Sequence, residues 1–506
     1  MRTKKLLLNS TTSLLLQFVT IICGFVLGRV ILVTFGSEIN GAVSSISQFL
    51  GYISLLEVGI GGVTRAALYK PLAENNTIKI SGIVNATQGF FRKIALVFGV
   101  YVVILSISFK FVSQTELDFG FIAALVFILA INTFAQYYFG ITYSVLLNAD
   151  QREYINNLLN TVTLILNAVV CIILVNAKCS IHVVKAASVG VYVLRPVLLY
   201  IIAKRRYNIV SDAKPDDEAI KQRWSGFGHH IAYYIHNNID VMVITIVLGL
   251  KWSSVYAVYY MIVSGVRKIV VAFSGGTEAA LGNMIARNES DVLKSRFKMV
   301  ENLSSMIIIT MFSVTGLLLF DFVRIYTSGV SDIEYMVYSV GILLVISETL
   351  HALKQIYHNA VMAAGHYKQT QVGAYIEAGV NVSLSIILAF CIGLPGVILA
   401  TIIATAYRTI DYVLYLRKNI LNRKVADTIK RFVVNFMNAL AVVGAVLLIP
   451  FAVPDNYFSW VLKAIPVFVI SCVITLIVNY VCYRQELVEI IKKIISIFAK
   501  RKVENK

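Results

Sequence analysis

About fourteen stretches of this chain are long and apolar enough to cross a lipid bilayer, which takes about 20 mostly apolar residues per helix. In the first half they run over 10–35, 41–64, 93–113, 119–147, 155–176 and 183–203. In the second they run over 229–250, 254–278, 300–323, 335–362, 372–393 and 395–416, and two more follow at 433–453 and 459–483. The chain has 506 residues, 58% hydrophobic and 14% charged. A soluble domain carries about 25% charged residues, so there is too little polar surface here to coat a soluble particle of this size. The expected fold class is an all-α polytopic membrane protein.

The net charge of +18 would suggest a nucleic-acid partner in a soluble protein. Here the positive charge sits in short loops between apolar runs, as the positive-inside rule and contact with anionic lipid require, and no nucleic acid is expected. With Met1 inside, the inner loops carry Arg2, Lys4 and Lys5, then Arg65, Lys70, Lys79, Arg92 and Lys93. Further on they carry Lys204, Arg205 and Arg206, then Arg287, Lys294, Arg296 and Lys298, then Arg417, Lys418, Arg423 and Lys424. The outer loops hold only Lys178, Lys251 and Arg324 beside several acids. Both termini are therefore expected in the cytoplasm. The basic and then apolar start resembles a signal peptide, but its apolar run continues to about Phe35 without a clear cleavage site, which reads as an uncleaved first span. The six cysteines form no C-x-x-C, so neither a disulfide framework nor a zinc site is indicated.

The stretch from Gly36 to Asn76 recurs 213 residues later. At that offset Gly36 falls on Gly249, Gly62 on Gly275, Thr64 on Thr277, and Ala66, Ala67 and Leu68 on Ala279, Ala280 and Leu281. The same offset carries Arg195 onto Arg408 and Lys204–Arg205 onto Arg417–Lys418. One constant offset at both ends of a half indicates a duplicated unit, as in many membrane transporters. The expected organisation is a six-helix bundle over 1–203, a cytoplasmic linker over 204–228 carrying Pro215, and a second six-helix bundle over 229–416. Two additional helices follow over 417–483, then an amphipathic basic tail over 484–506 that lies on the inner surface of the bilayer. An even number of helices per unit gives both halves the same topology, with a symmetry axis along the membrane normal.

No G-x-x-x-x-G-K-[ST] loop and no H-E-x-x-H pair occurs, and the outer loops are too short for an extracytoplasmic catalytic domain. The sequence points to moving something rather than transforming it. What remains is polar residues in apolar helices, where a charge costs a few kcal/mol and usually faces a cavity or a partner. Arg267 and Lys268 sit mid-span, and pair with carboxylates on other helices or line a cationic cavity. His236 and Asp240 are four apart on one helix face, beside Tyr233, Tyr234 and Asn237. Glu348, His351, Gln355 and His358 form a stripe that suggests a water-lined face, with Lys354 beside it. Arg29 snorkels outward or lines a cavity, and Glu57 lies deep in the second span. Arg195, before the kinking Pro196, and Arg408, three residues from Asp411, are structural pins or ligands. Asn156, Asn157, Asn160 and Asn167 read as a polar helix-packing seam.

At LEVGIGGVTRAALYKPLAENN, and again at LLNADQREYI (Leu146 to Ile155), the sequence resembles the Wzx-type polysaccharide flippases of the MOP superfamily, relatives of the MATE antiporters and the lipid II flippases. The resemblance spans essentially the whole chain, and Glu57, Arg65, Tyr69, Lys70 and Pro71 match its motif. It implies two six-helix bundles plus two helices, with a cationic cavity opening alternately to either side of the bacterial inner membrane. It implies an undecaprenyl-pyrophosphate-linked oligosaccharide as substrate, no cofactor, and contacts with polysaccharide polymerase machinery. Arg267, Lys268, Arg29, Lys354 and Arg195 are the candidate substrate-binding cations. Asp240, His236, Glu57, Glu348 and His351 are the candidates for coupling to H⁺ or Na⁺. Two rival readings stand beside this one. A MATE-type exporter would need an acidic site for cations. A membrane polymerase or glycosyltransferase usually presents large outer loops.

Overall fold

The computed structural model describes residues 2–57, 59–224, 227–273, 277–287 and 289–492. Within these, the side chains at 2–4, 6, 222–224, 227–233, 236, 237, 272, 273, 279 and 290 lie outside the described residues. The fold is helical throughout, with no strand among the described residues. In lipid each backbone N–H and C=O must be satisfied within its own segment, which an α-helix does. The helices are α1 (Arg2–Gly51), α2 (Ile60–Ala73), α3 (Thr77–Ser113), α4 (Phe119–Ala135), α5 (Ile141–Ala149), α6 (Glu153–Asn176), α7 (Ile181–Tyr207) and α8 (Phe227–Val247). There follow α9 (Leu250–Phe273), α10 (Thr277–Ala286), α11 (Ser290–Tyr326), α12 (Tyr338–Ala363), α13 (Gln371–Ile392), α14 (Leu394–Leu416), α15 (Val425–Leu447) and α16 (Tyr457–Cys482). One π-helical turn, Gln136–Gly140, joins α4 to α5.

Twelve of the helical segments are long and apolar enough to span a membrane. Counting the two arms of α1 separately and adding α8, whose Asn238–Val247 is apolar but shorter, gives the expected fourteen. Large apolar side chains face outward along them, Phe18 at 63%, Phe436 at 63% and Phe458 at 74% exposed among them, an apolar surface that only lipid can cover. The chain is a multi-pass membrane protein. Several expected boundaries move: the spans expected from 93 and 300 begin at Thr77 and Ser290, and two further shifts have local reasons. The span expected over 41–64 ends as helix at Gly51, passes through a short 3₁₀ turn (Tyr52–Leu56), and restarts at Ile60 after the extended Gly59. The span expected from 433 begins at Val425, because Asp427, Lys430 and Arg431 form polar first turns below the apolar stretch.

The duplication is visible in the backbone. α3 and α11 are both 37 residues long, and both their ends stand 213 residues apart. Gly36 and Gly249 both have positive φ, 83° and 87°, a conformation glycine adopts without strain. Gly36 bends α1 into its two arms, and Gly249 separates α8 from α9. Left-handed turns pair with a drift of one residue, Gln151 with Gly365 and Asn208 with Asn422, while Arg195 and Arg408 between them keep the 213-residue offset.

The chain forms two compact units, one of Met1–Ala257 with Gly329–Ile333, the other of Val258–Ser328 with Glu334–Lys506. In the first, Phe49, Phe91, Phe98 and Phe109 anchor the core. Asp332 caps the second arm of α1, accepting from the Ser37 amide at 2.8 Å and its hydroxyl at 2.6 Å. Residues 208–220 lie against this unit. Asn85 donates to the carbonyls of Val210, Ser211 and Ala213, the Asp216 amide donates to the Gly82 carbonyl at 3.0 Å, and Ile220 is buried in the core. In the second unit Phe297, Phe312, Tyr357 and Tyr412 anchor the core. The start of the expected tail, helical over 484–492, packs Leu487 and Ile490 inside this unit; 493–506 lie outside the described residues.

Candidate functional site

In the second unit the mid-membrane charges neutralise one another. Arg267 on α9 sits 3.0 Å from Oε2 of Glu348 on α12, donates to Oε1 at 3.3 Å, and donates to the Tyr260 hydroxyl at 3.1 Å. One or two turns further along α12, Lys354 donates to Glu377 of α13 at 2.6 Å. Arg408 of α14 is fully buried. It faces Glu377 at 3.6 Å, pairs with Asp411, and donates to the Thr370 carbonyl at 2.8 Å and to the Tyr412 hydroxyl at 2.9 Å. Gly373 makes room for this: a Cβ there would stand 2.0 Å from the Arg408 guanidinium. The Tyr412 hydroxyl, which accepts from Arg408, also bonds Nδ1 of His358 at 2.8 Å. Three cations thus meet three carboxylates. Along the α12 stripe Glu348 and His351 are buried, Gln355 and His358 are half-buried, and Gln355 bonds Asn359 at 2.7 Å. Lys268 is exposed.

The first unit is arranged differently. Arg195 on α7 is half-buried and finds only the Asn156 amide, at 3.0 and 3.3 Å, with no carboxylate among the described residues. It matches Arg408 in place, since both arginines reach the first turn or edge of the preceding helix, but Arg408 has acquired carboxylates and Arg195 has not. Asp240 is buried on α8 and accepts from the Tyr256 hydroxyl at 3.2 Å. Glu57 accepts from Tyr137 at 2.9 Å. Arg29 is half-buried on α1. The side chain of His236, like those of His229 and His230, lies outside the described residues. Asn157 is buried and reaches Thr12 at 3.4 Å, and Asn167 reaches Tyr192 at 3.1 Å, a polar seam between helices.

The two family-like motifs have different structural fates. In the first, Leu68 and Pro71 are buried while Tyr69 and Lys70 are exposed on α2. In the second, Asp150 is the hub of a corner. It accepts from Tyr207 at 2.7 Å and Lys5 at 3.0 Å and pairs with Arg152, while Asn9 clamps the Gln151 carbonyl and the Tyr154 amide. Burial alone would push the Asp150 carboxyl up; hydrogen bonds from Tyr207, Lys5 and Arg152 outweigh it and hold the group below its usual value of 3.8. A carboxyl depressed in the folded state contributes stability above its unfolded pKa and loses it as pH falls through the folded value. Asp150→Asn is therefore expected to melt below the unmodified protein near neutral pH, with the gap closing as pH drops below 3.8. Parallel melting curves across pH check this, and a constant gap would contradict it.

Reading the sequence alone missed Glu377, Glu301 and Lys185. Glu377 stands alone in the apolar run AYIEAGVN and carries the same signal as Asp240. Glu301 and Lys185 fall at expected span ends, where a charge reads as solvated.

No protein-family model matches the sequence, and no curated protein does. Solved structures do match. The lipid II flippase MurJ in its inward closed conformation matches with TM-score 0.71 at 14% identity, covering 95% of this chain and 100% of that one. An inward-facing multidrug resistance MATE family transporter of the MOP superfamily matches with TM-score 0.58 at 15% identity, covering 79% of this chain and 94% of that one. An outward-facing one matches with TM-score 0.55 at 16% identity, covering 82% and 95%. At these identities the likeness is one of fold, and the fold is that of flippases and transporters.

Proposed function

We propose that this chain is a flippase that carries an undecaprenyl-pyrophosphate-linked oligosaccharide across the bacterial inner membrane by alternating access, coupled to H⁺ or Na⁺. The observation that carries the reading is the extent of the likeness to a lipid flippase, 95% of this chain, where the multidrug transporters reach 79% and 82%. The Wzx-like motifs narrow the cargo to a lipid-linked sugar, and a cluster of glycosyltransferase genes around this one would support it.

The Arg267–Glu348 pair joins the two roles the sequence suggested for these residues. A pyrophosphate entering hydrocarbon needs donors to replace its hydration, and a guanidinium grips phosphate with two hydrogen bonds. When the lipid pyrophosphate takes Arg267, Glu348 is left buried without its partner and takes up a proton or Na⁺, because an uncompensated buried carboxylate costs several kcal/mol. Substrate and coupling ion thus bind together. Lys268 in the same unit, and Arg29 and Arg195 in the first, are further candidate substrate-binding cations, and Asp240 and Glu57 are further coupling groups. Lys354 is held by Glu377 and serves structure.

Export and membrane protein level, measured in the same cells, test this. Arg267→Ala is expected to lower both, since it strands Glu348. Arg267→Ala with Glu348→Gln is expected to restore the protein level and leave export at least tenfold down. Arg267→Lys returns charge without the fork and is expected to rescue in part. Full export by the double variant would reduce Arg267 to a structural pin. Drug efflux without flipping of lipid-linked sugar in proteoliposomes would favour the MATE-type reading.

A further inference from the structure

The first unit holds a partly open cavity of about 290 Å³ between α1, α4, α6 and α7. Its wall includes Lys185, Asn132, Thr133, Asn167 and Tyr192. Lys185 has no ion-pair or hydrogen-bond partner among the described residues, and the buried Oδ1 of Asn132 has none either. The Tyr192 hydroxyl accepts from Asn167 at 3.1 Å, which leaves its own proton to give. An ammonium at membrane depth normally meets a carboxylate, as Lys354 meets Glu377 in the second unit. Here the wall offers no carboxylate, only neutral donors and acceptors.

The duplication supplies an internal control. At the 213-residue offset Lys185 corresponds to Ile398, which is fully buried. Asn167 corresponds, with the one-residue drift, to Asn381, which is also fully buried and accepts from Ser385 and Thr401 at 3.2 and 3.1 Å. The second unit thus folds with an apolar side chain where the first has a cation. The fold does not require Lys185, which is half-buried, and holding a cation against an otherwise uncharged wall is costly unless something neutralises it.

We infer that this cavity is a binding site for a small monovalent anion of the halide class, with Lys185 as its counter-charge and Tyr192 and Thr133 as neutral donors. One ammonium balances one negative charge, which disfavours a diphosphate. At about 30 Å³ per water, the cavity holds a hydrated halide, with a water on the orphaned Asn132 oxygen. The site is independent of the pyrophosphate-handling residues proposed above, and its test involves no lipid-linked sugar.

The test uses the purified full-length protein in detergent, melted in sodium chloride or bromide against sodium gluconate at equal ionic strength. The unmodified protein is expected to melt several degrees higher in halide, as mass action on the folded state requires. Lys185→Ile, which installs the residue of the sister helix, is expected to melt as well in gluconate and to lose the halide effect. Tyr192→Phe is expected to weaken the apparent halide affinity about tenfold or more, the worth of one hydrogen bond to a charged group. Bromide-soaked crystals should show an anomalous peak beside Lys185. If Lys185→Ile fails to accumulate, Tyr192→Phe and the bromide peak decide. No halide effect in the unmodified protein, an undiminished effect in Lys185→Ile or Tyr192→Phe, or an equal effect from inorganic pyrophosphate overturns the assignment.

Discussion

Glu377→Ala is expected to remove about 3–5 kcal/mol of stability, the usual consequence of breaking a buried ion pair from one side. The loss should sit at the upper end, because this one carboxylate faces two cations, Lys354 at 2.6 Å and Arg408 at 3.6 Å. Both cations are almost fully buried, and neither can reach water without unpacking α12 or α14. Asp411 remains for Arg408, but its side chain is 35% exposed, and Lys354 keeps no carboxylate in direct contact, only Glu348 at longer range. Lys354→Met in the Glu377→Ala background is therefore expected to recover a large part of the loss, since removing both partners is far cheaper than removing one. Thermal unfolding of the detergent-purified protein, with recovered membrane protein as a second readout, measures it. A Glu377→Ala variant with unchanged melting and yield would mean that the three-carboxylate arrangement does not hold the unit together.

The helices were legible in the sequence because lipid leaves the backbone no alternative, and a run such as LVFILAINTF cannot be anything but a span. The duplication was legible because positions that need small residues, Gly36 and Gly249 first, tolerate little drift. Partnerships were another matter. The periodicity of Glu348, His351 and His358 marks one polar face on α12, but nothing in the sequence says whether water, Arg267 or Tyr412 meets that face. Pairing depends on helix rotation and depth, and α9 places Arg267 against Glu348 from 81 residues away. Lys185 escaped notice because a lysine in the first turns of a span reads as a snorkelling residue; only the packing of α1, α4 and α6 around it turns it into a wall of a cavity.

The same comparison between units predicts that Glu301→Gln will strongly destabilise the protein although it is nearly isosteric. In the first unit the corresponding residue is Gln88, which accepts from the Tyr143 hydroxyl at 3.4 Å. In the second, Glu301 accepts from Tyr357 at 2.8 Å, so the tyrosine contact itself is shared between the two units. What differs is the chain that follows. Arg423 grips Glu301 through two nitrogens at 2.7 and 2.8 Å, and Arg431 on α15 approaches it at 3.2 Å before reaching Asn302 and Glu486. The last two helices of the second unit, α15 and α16, are thus tied to α11 through one carboxylate that is 1% exposed. A glutamine would keep the tyrosine bond, offer one amide oxygen in place of two charged ones, and leave the buried Arg431 and the half-buried Arg423 short of a counter-charge. The expected loss is about 3–5 kcal/mol, with earlier proteolytic cleavage in the 448–456 turn as α15 and α16 loosen. Arg423→Ala alone should cost less, because Arg431 still neutralises Glu301. Adding Arg423→Gln and Arg431→Gln to Glu301→Gln should return part of the stability, since the charges then vanish together. Melting and limited proteolysis of these variants decide the matter. Glu301→Gln indistinguishable from the unmodified protein in both would show that α15 and α16 are held by apolar packing alone.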